Sequence, residues 1–214
     1  MYGPYLTINH RDLSITLRPF SRDDISCLVK GFSSMSVQMY TNGLFAQVLE
    51  NEQEWYDKTR KSTDVVSWAI VPSRSKIPIG VTALHNIQSF DGGCTSGIII
   101  WNKKWWGKGV ASCAHLGRTL YAADFLNRSI IRSTVRTENP GSFKALQRVG
   151  YTIWGTEPKT TWRNGRWFDT HHLIWFHPDR ISQLFPEGLP QIYETGVNQA
   201  KISLDLAQTV VTIV

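Results

Sequence analysis

Long hydrophobic runs are missing from this chain of 214 residues. No apolar stretch approaches the roughly 18 residues a membrane-spanning helix needs, which argues against an integral helical membrane protein. Cysteine is scarce too. Cys27, Cys94 and Cys113 are odd in number and far apart, so they form neither a disulfide framework nor a C-x-x-C metal pair. The expectation is a reducing, cytoplasmic compartment and no metal. Residues 1–14 lack a basic segment leading into an apolar one, so no secretory signal is expected. Internal repeats, low-complexity segments and Lys/Arg-rich runs are also absent. What is present is 42% hydrophobic residues against 19% charged, too apolar for a disordered chain and enough for a core. The length suits one domain, or one domain with an appendage.

The charge that exists is uneven. Net charge is +6, yet residues 181–214 hold one base, Lys201, against Glu187, Glu194 and Asp205, which leaves +8 on the first 180 residues. A basic body suits a polyanion, either nucleic acid or a phosphate-bearing cofactor; solubility alone is the plainer reading. Without a Lys/Arg run, nucleic acid is the unlikelier partner.

Residues 13–17 alternate apolar and polar, as a half-buried strand does. Ser21-x-x-Asp24 then starts a helix carrying Ile25, Leu28 and Val29. A second helix is predicted over 48–60, and strands at 65–71, 79–84 and 94–101, the last after an Asp91-Gly-Gly turn. A helix follows Gly109, with Val110, Cys113, Leu116, Leu120 and Ala123 at helical spacing. A strand at 129–135 leads to Asn139-Pro140, a cap followed by proline at the first helical position, and Gly150 closes that helix. Strands at 151–161 and 167–176 flank Asn164-Gly165, a strong hairpin signal. Seven strands in this order imply an α+β (mixed α/β) fold with one mostly antiparallel sheet and helices on both faces. Residues 1–12 read as an N-terminal extension, 13–178 as the domain, and 179–214 as a tail or added helix. Capping the sheet, a dimer contact or disorder would each suit that tail.

The most informative segment is 101–111. Gly107 and Gly109 sit at a strand-to-helix junction, where backbone N–H groups and the helix dipole converge on an anion and Lys103, Lys104 and Lys108 add charge. A dinucleotide fingerprint lacks its third glycine, since Ser112 stands there, and no P-loop Gly-Lys-Ser/Thr follows. A plain tight turn is the alternative. One strand later come Asn139, Ser142 and Gly150-Tyr151.

Together these elements resemble the GNAT superfamily of acyl-CoA-dependent N-acyltransferases. The family's Q/R-x-x-G-x-G/A loop is matched by residues 104–109 with Lys104 in first place. Its N-x-x-S/A and G-F/Y elements are matched by Asn139, Ser142 and Gly150-Tyr151. The run Leu17-Arg-Pro-Phe20, Asp24, Ile79-Gly80, and the Asn164-Gly165 hairpin with Asp169 agree as well, so the resemblance covers about residues 13–177. It is most similar to the ribosomal-protein N-terminal acetyltransferase (RimJ/RimL-type) branch. The resemblance implies a sheet splayed between its fourth and fifth strands, with acetyl-CoA as acyl donor in the opening. It further implies that main chain at Ile99, Ile100 and Trp101 bonds the pantetheine arm, with Asn139. Lys104, Gly107, Lys108, Gly109, Val110 and Ala111 would hold the pyrophosphate. Ser142 would sit at the thioester sulfur as general acid.

Acyl transfer also needs a neutral amine. The carboxylates that relatives use for this are missing: residues 94–97 are Cys-Thr-Ser-Gly, Trp154 stands after the Gly-Tyr pair, and Leu146 replaces a tyrosine acid. A base could come from His85, His171 or His172, the amine could arrive neutral, or the chain could bind acyl-CoA without turnover. For each histidine, a structural role is the plainer reading. On the acceptor side, Tyr40, Trp55 and Tyr56 lie near the first helices, and Trp154, Trp162, Trp167 and Trp175 on the last strands. Tyr40 and Trp154 are the expected acceptor-binding residues, against simple core packing. Few acids accompany these aromatics, which argues against polyamines. The leading expectation is therefore an acetyl-CoA-dependent N-acetyltransferase acting on a small-molecule amine or a peptide N-terminus, monomeric or homodimeric. A non-catalytic acyl-CoA-binding protein and a single-strand nucleic-acid binder are the competing classes.

Overall fold

Alternation in the sequence becomes a sheet with two covered faces. In the computed structural model, which describes residues 1–41 and 46–214, the elements in chain order are β1 (Leu6–His10), β2 (Leu13–Arg18), α1 (Ile25–Phe32), α2 (Met35–Gln38), α3 (Leu49–Lys61), β3 (Val65–Pro72), β4 (Gly80–His85), β5 (Gly93–Ile100), α4 (Val110–Leu120), β6 (Ile130–Arg136), α5 (Pro140–Gln147), β7 (Thr152–Arg163), β8 (Arg166–Phe176), α6 (Ile181–Leu184), α7 (Gln191–Val210) and β9 (Val211–Ile213). The sheet order is β7-β8-β6-β5-β4-β3-β2-β1-β9. It is a single mixed sheet with helices, open at both ends. Among the described residues the sheet has nine strands where seven were expected. The two additions, β1 and β9, lie in the segments read as extension and tail, and they pair with each other over Leu6↔Ile213 to Ile8↔Val211. Five residues and three residues are too few for periodicity to stand out, so long-range pairing decides them.

Each face has its own apolar cluster. Beneath α4, α5 and α7 lie Trp68, Ile70, Leu84, Ile131, Leu146 and Ala200. Beneath α1 and α3 lie Phe20, Leu28, Ala69, Val71 and Val81. Residues such as Leu84 and Ile131 are wholly buried and contribute about 1.5–3 kcal/mol each. α7 is locked across the turn after α5. Gly150 has φ +99°, and a Cβ there would lie 2.5 Å from the Ala200 nitrogen, while Ser203 Oγ donates to the Val149 carbonyl at 3.0 Å.

One pairing positions everything that follows. β5 and β6 are the sheet's parallel neighbours, bonded only at Gly93↔Ile130, Cys94↔Ile131 and Thr95↔Arg132. β5 continues to Ile100 along β4 and β6 to Arg136 along β8, without pairing further to each other. The expected splay is therefore present, with its apex at Thr95 and Arg132.

Candidate active site

The glycine loop takes the conformation its composition allows. Gly107 (φ +73°) and Gly109 (φ +85°) are left-handed, a region costly for other residues. Gly109 caps α4, and the first intrahelical bond is Cys113 N–H to Gly109 C=O. The N–H groups of Val110, Ala111 and Ser112 thus have no partner within the helix and form an anion cradle. They line a cleft of about 470 Å³ together with Trp105, Trp106, Asn139, Ser142, Lys144 and Arg148.

The opposite wall is the free edge of β5. In an antiparallel pair, residues alternate between bonding the partner and pointing away from it. Trp101 N–H donates to the Ile79 carbonyl at 3.0 Å and Ile99 faces Val81, so both are spent on β4. The register leaves the main-chain groups of Ile98 and Ile100 facing the opening. Of these, the Ile100 carbonyl accepts from Trp106 Nε1 at 2.7 Å.

A buried polar network holds the strands where they part. Arg118, fully buried on α4, donates through Nη1 to Thr82 Oγ1 at 2.7 Å and to the Gly97 carbonyl at 2.8 Å. Its Nη2 lies 2.7 Å from His115 Nδ1. A guanidinium only donates, so that nitrogen accepts and Nε2 carries the imidazole proton. Burial, reinforced by the Arg118 charge, holds the His115 pKa well below its usual value. His115 is therefore neutral, with its basic nitrogen occupied. Ser133 Oγ donates to the Ser96 carbonyl at 3.1 Å, and Ser96 Oγ lies 3.1 Å from the Tyr151 hydroxyl. Cys94, beside the apex, has its thiol pushed up to about 11 by burial and stays protonated at neutral pH, a poor nucleophile.

A second cavity, about 650 Å³, opens on the α1–α3 face of the splay. Phe32, Tyr40 and Trp55 supply aromatic wall, and His85, Gly97, Arg136, Asn139 and Ser142 line it too. Tyr40, Ile98, Ile99, Asn139 and Ser142 belong to both spaces, so the two meet at the start of α5. Asn139 Oδ1 accepts from Ser142 N–H at 3.1 Å as the helix cap, and both residues line the junction. His85 ends β4 opposite Thr95; its side chain lines the cavity and remains exposed to solvent. Desolvation, then the Arg118 charge, lowers its pKa, while Asp64 opposes them. The imidazole is neutral at pH 7. Glycine at 97 keeps the path open: a Cβ there would sit 4.0 Å from His85 Nε2.

Of the residues singled out from sequence, Ile99, Ile100, Gly107, Gly109, Val110, Ala111, Asn139, Ser142 and Tyr40 meet at these two spaces. Trp101 does not. Its ring packs on α1, 6.0 Å from Phe32 and against Gly31, where a Cβ would lie 2.4 Å from Trp101 Cγ. Lys104 and Lys108 do not line the cleft; Lys108 Nζ sits 5.6 Å from the Trp105 ring. Trp154 is on the outer hairpin, 51% exposed and against His172, because the bulge at 153–155 and the edge position of β7 turn it outward. His171 and His172 are engaged by Thr156 at 2.9 Å and Glu157 at 3.1 Å. Lys144, Arg148, Arg118, His115 and Arg136 were not foreseen. The spacing of Lys144 and Arg148, four apart on the Asn-capped helix, was the one available signal. Among the described residues, no group of three or more His, Cys, Asp or Glu is placed to hold a metal ion, and no helix is long and apolar enough to cross a membrane.

Comparison with known proteins agrees with this architecture. A spermidine N-acetyltransferase from Vibrio cholerae, solved with CoA and spermine, superposes with a TM-score of 0.69 at 22% identity, covering 76% of this chain and 95% of that one. A GNAT-family acetyltransferase from Bacillus anthracis gives 0.65 at 18% identity, covering 79% and 98%. A Vibrio cholerae protein provisionally assigned as a ribosomal-protein-serine acetyltransferase gives 0.63 at 14%, covering 79% and 97%. At such identities the likeness establishes the fold. No curated protein sequence matches the chain. The family model described as the acetyltransferase (GNAT) domain matches residues 14–152, well over half of the chain, and with the splayed sheet and its glycine loop this places the protein among the GNAT acetyltransferases.

Proposed function

We propose that the protein transfers an acetyl group from acetyl-CoA directly to a primary amine of a small molecule or a peptide N-terminus. The observation that carries this is the meeting of two spaces at Asn139 and Ser142, one ending in an anion cradle and the other walled by aromatics. In this reading the N–H groups of Val110, Ala111 and Ser112 hold the pyrophosphate, with Lys144 and Arg148 adding charge. Ile98 and the Ile100 N–H offer the pantetheine arm a strand edge, and the Asn139 amide offers it a donor. The sequence motifs favour the RimJ/RimL-type branch and a cytoplasmic protein.

The amine lone pair attacks the thioester carbonyl; a C–N bond forms and the C–S bond breaks. Of the two protons an ammonium loses, one goes to His85, directly or across one water, and then to bulk. The other reaches the departing sulfur by way of the Ser142 hydroxyl. His85 thus takes the place of the missing carboxylates. The test is acetyl-CoA titration followed by thiol release with amines. Micromolar binding and amine-dependent release are expected; binding of neither acetyl-CoA nor CoA would overturn the reading.

A further inference from the structure

The acceptor cavity has an unusual charge pattern for an amine-binding space. No Asp or Glu lines it among the described residues, and residues 42–45, being Asn, Gly, Leu and Phe, contain no acid. Its charged lining groups are Lys58 from α3 and Arg136 from β6. Arg136 is only 7% exposed. It forms an ion pair with Glu138, Nε to Oε1 at 2.9 Å, and donates through Nη2 to the Met39 carbonyl, yet its buried Nη1, like the buried Glu138 Oε2, has no hydrogen-bond partner. A buried guanidinium nitrogen without an acceptor is costly, and a bound anion is the natural remedy. None of the acids of α3 lines the cavity: Glu52 is buried one turn before Trp55, and Asp57 is held by Arg22 and Arg60.

Resting on the acetyl-transfer reading above, we infer that the acceptor is an amine bearing a carboxylate, of free amino-acid type with an apolar or aromatic side chain. Arg136 Nη1, with Lys58 at the rim, receives the carboxylate. Phe32, Tyr40 and Trp55 receive the side chain, and the amine faces His85 and Ser142. A polyamine such as the spermine held by the Vibrio cholerae neighbour would set its additional ammonium groups against Lys58 and Arg136 with no carboxylate to meet them. A peptide N-terminus offers an amide where this site offers a cation.

The experiment compares L-phenylalanine, L-phenylalaninamide, phenethylamine and spermidine. Each is titrated into the CoA-loaded protein and then assayed for acetyl-CoA-dependent thiol release. Phenylalanine is expected to bind and turn over at least about tenfold better than the other three. Lys58 is exposed, so Lys58→Gln should fold normally; it should raise KM for phenylalanine several-fold without raising that for phenethylamine. Arg136→Gln should raise it further. Equal or better binding of the amide, phenethylamine or spermidine overturns the inference, as does binding of none. Failure to bind acetyl-CoA would instead sink the transfer reading, and the amine titrations without CoA would still decide the charge preference.

Discussion

The cleft proposed for the donor and the cavity proposed for the acceptor are neighbours built in opposite ways. The donor cleft is made largely of backbone from two short stretches, 98–112 and 139–148, whose glycines and cap set the geometry. The acceptor cavity collects single side chains from elements scattered from Phe32 to Thr170. A site that works through main-chain N–H groups demands particular residues at fixed spacing, so it leaves a motif. A site that works through side chains needs only their meeting in space, and leaves none.

Perturbations should separate the two halves. The largest effect on turnover is expected at His85: His85→Gln should lower kcat about 10²- to 10³-fold while acetyl-CoA affinity stays unchanged. In the wild type, the rate should rise with pH through a value below 6.5 and then level, because a depressed pKa leaves the base neutral above it; that limb should vanish in His85→Gln. Gly109→Val should do the reverse. Forcing a β-branched residue to φ +85° costs about 1–3 kcal/mol and displaces the cradle, so acetyl-CoA affinity, read by calorimetry, should fall about tenfold to a hundredfold. Ser142→Ala, at the junction, should cut kcat about tenfold and leave affinity within about twofold; full turnover would remove its acid role. Asn139→Ala should weaken acetyl-CoA binding a few-fold and, through the lost cap, lower stability by about 1 kcal/mol in thermal denaturation. Trp154→Ala, out on the hairpin, should change neither constant by more than about twofold.

Legibility followed the same division. The glycine loop, the Asn139-Pro140 cap, Gly150 and the Asn164-Gly165 turn were readable because each is a local backbone requirement, and all four adopt the expected conformations. β1 and β9 were not, since a short strand forms only when a distant partner is in place. The Arg118–His115–Thr82 network joins residues 36 and fewer positions apart through an α-helix crossing a strand, and no spacing rule announces it. Main-chain direction was also hidden. That Ile98 rather than Ile99 faces the opening depends on the β4–β5 register, which follows from the pairing and not from composition. The Lys-rich loop misled in a specific way. Lys103 and Lys108 rest over Trp106 and Trp105, and the cleft takes its lining cations from α5 and the residue that caps its end, Lys144 and Arg148.

In the proposed reaction both substrates occupy the splay together and the acetyl group passes directly between them. Initial-rate kinetics over a grid of acetyl-CoA and amine concentrations tests it most directly. Intersecting reciprocal plots, with no acetyl group retained on the protein after acetyl-CoA alone, are the predicted result. Parallel plots with an acetylated enzyme would contradict it and would demand a nucleophile, which the protonated, buried Cys94 thiol is poorly suited to supply.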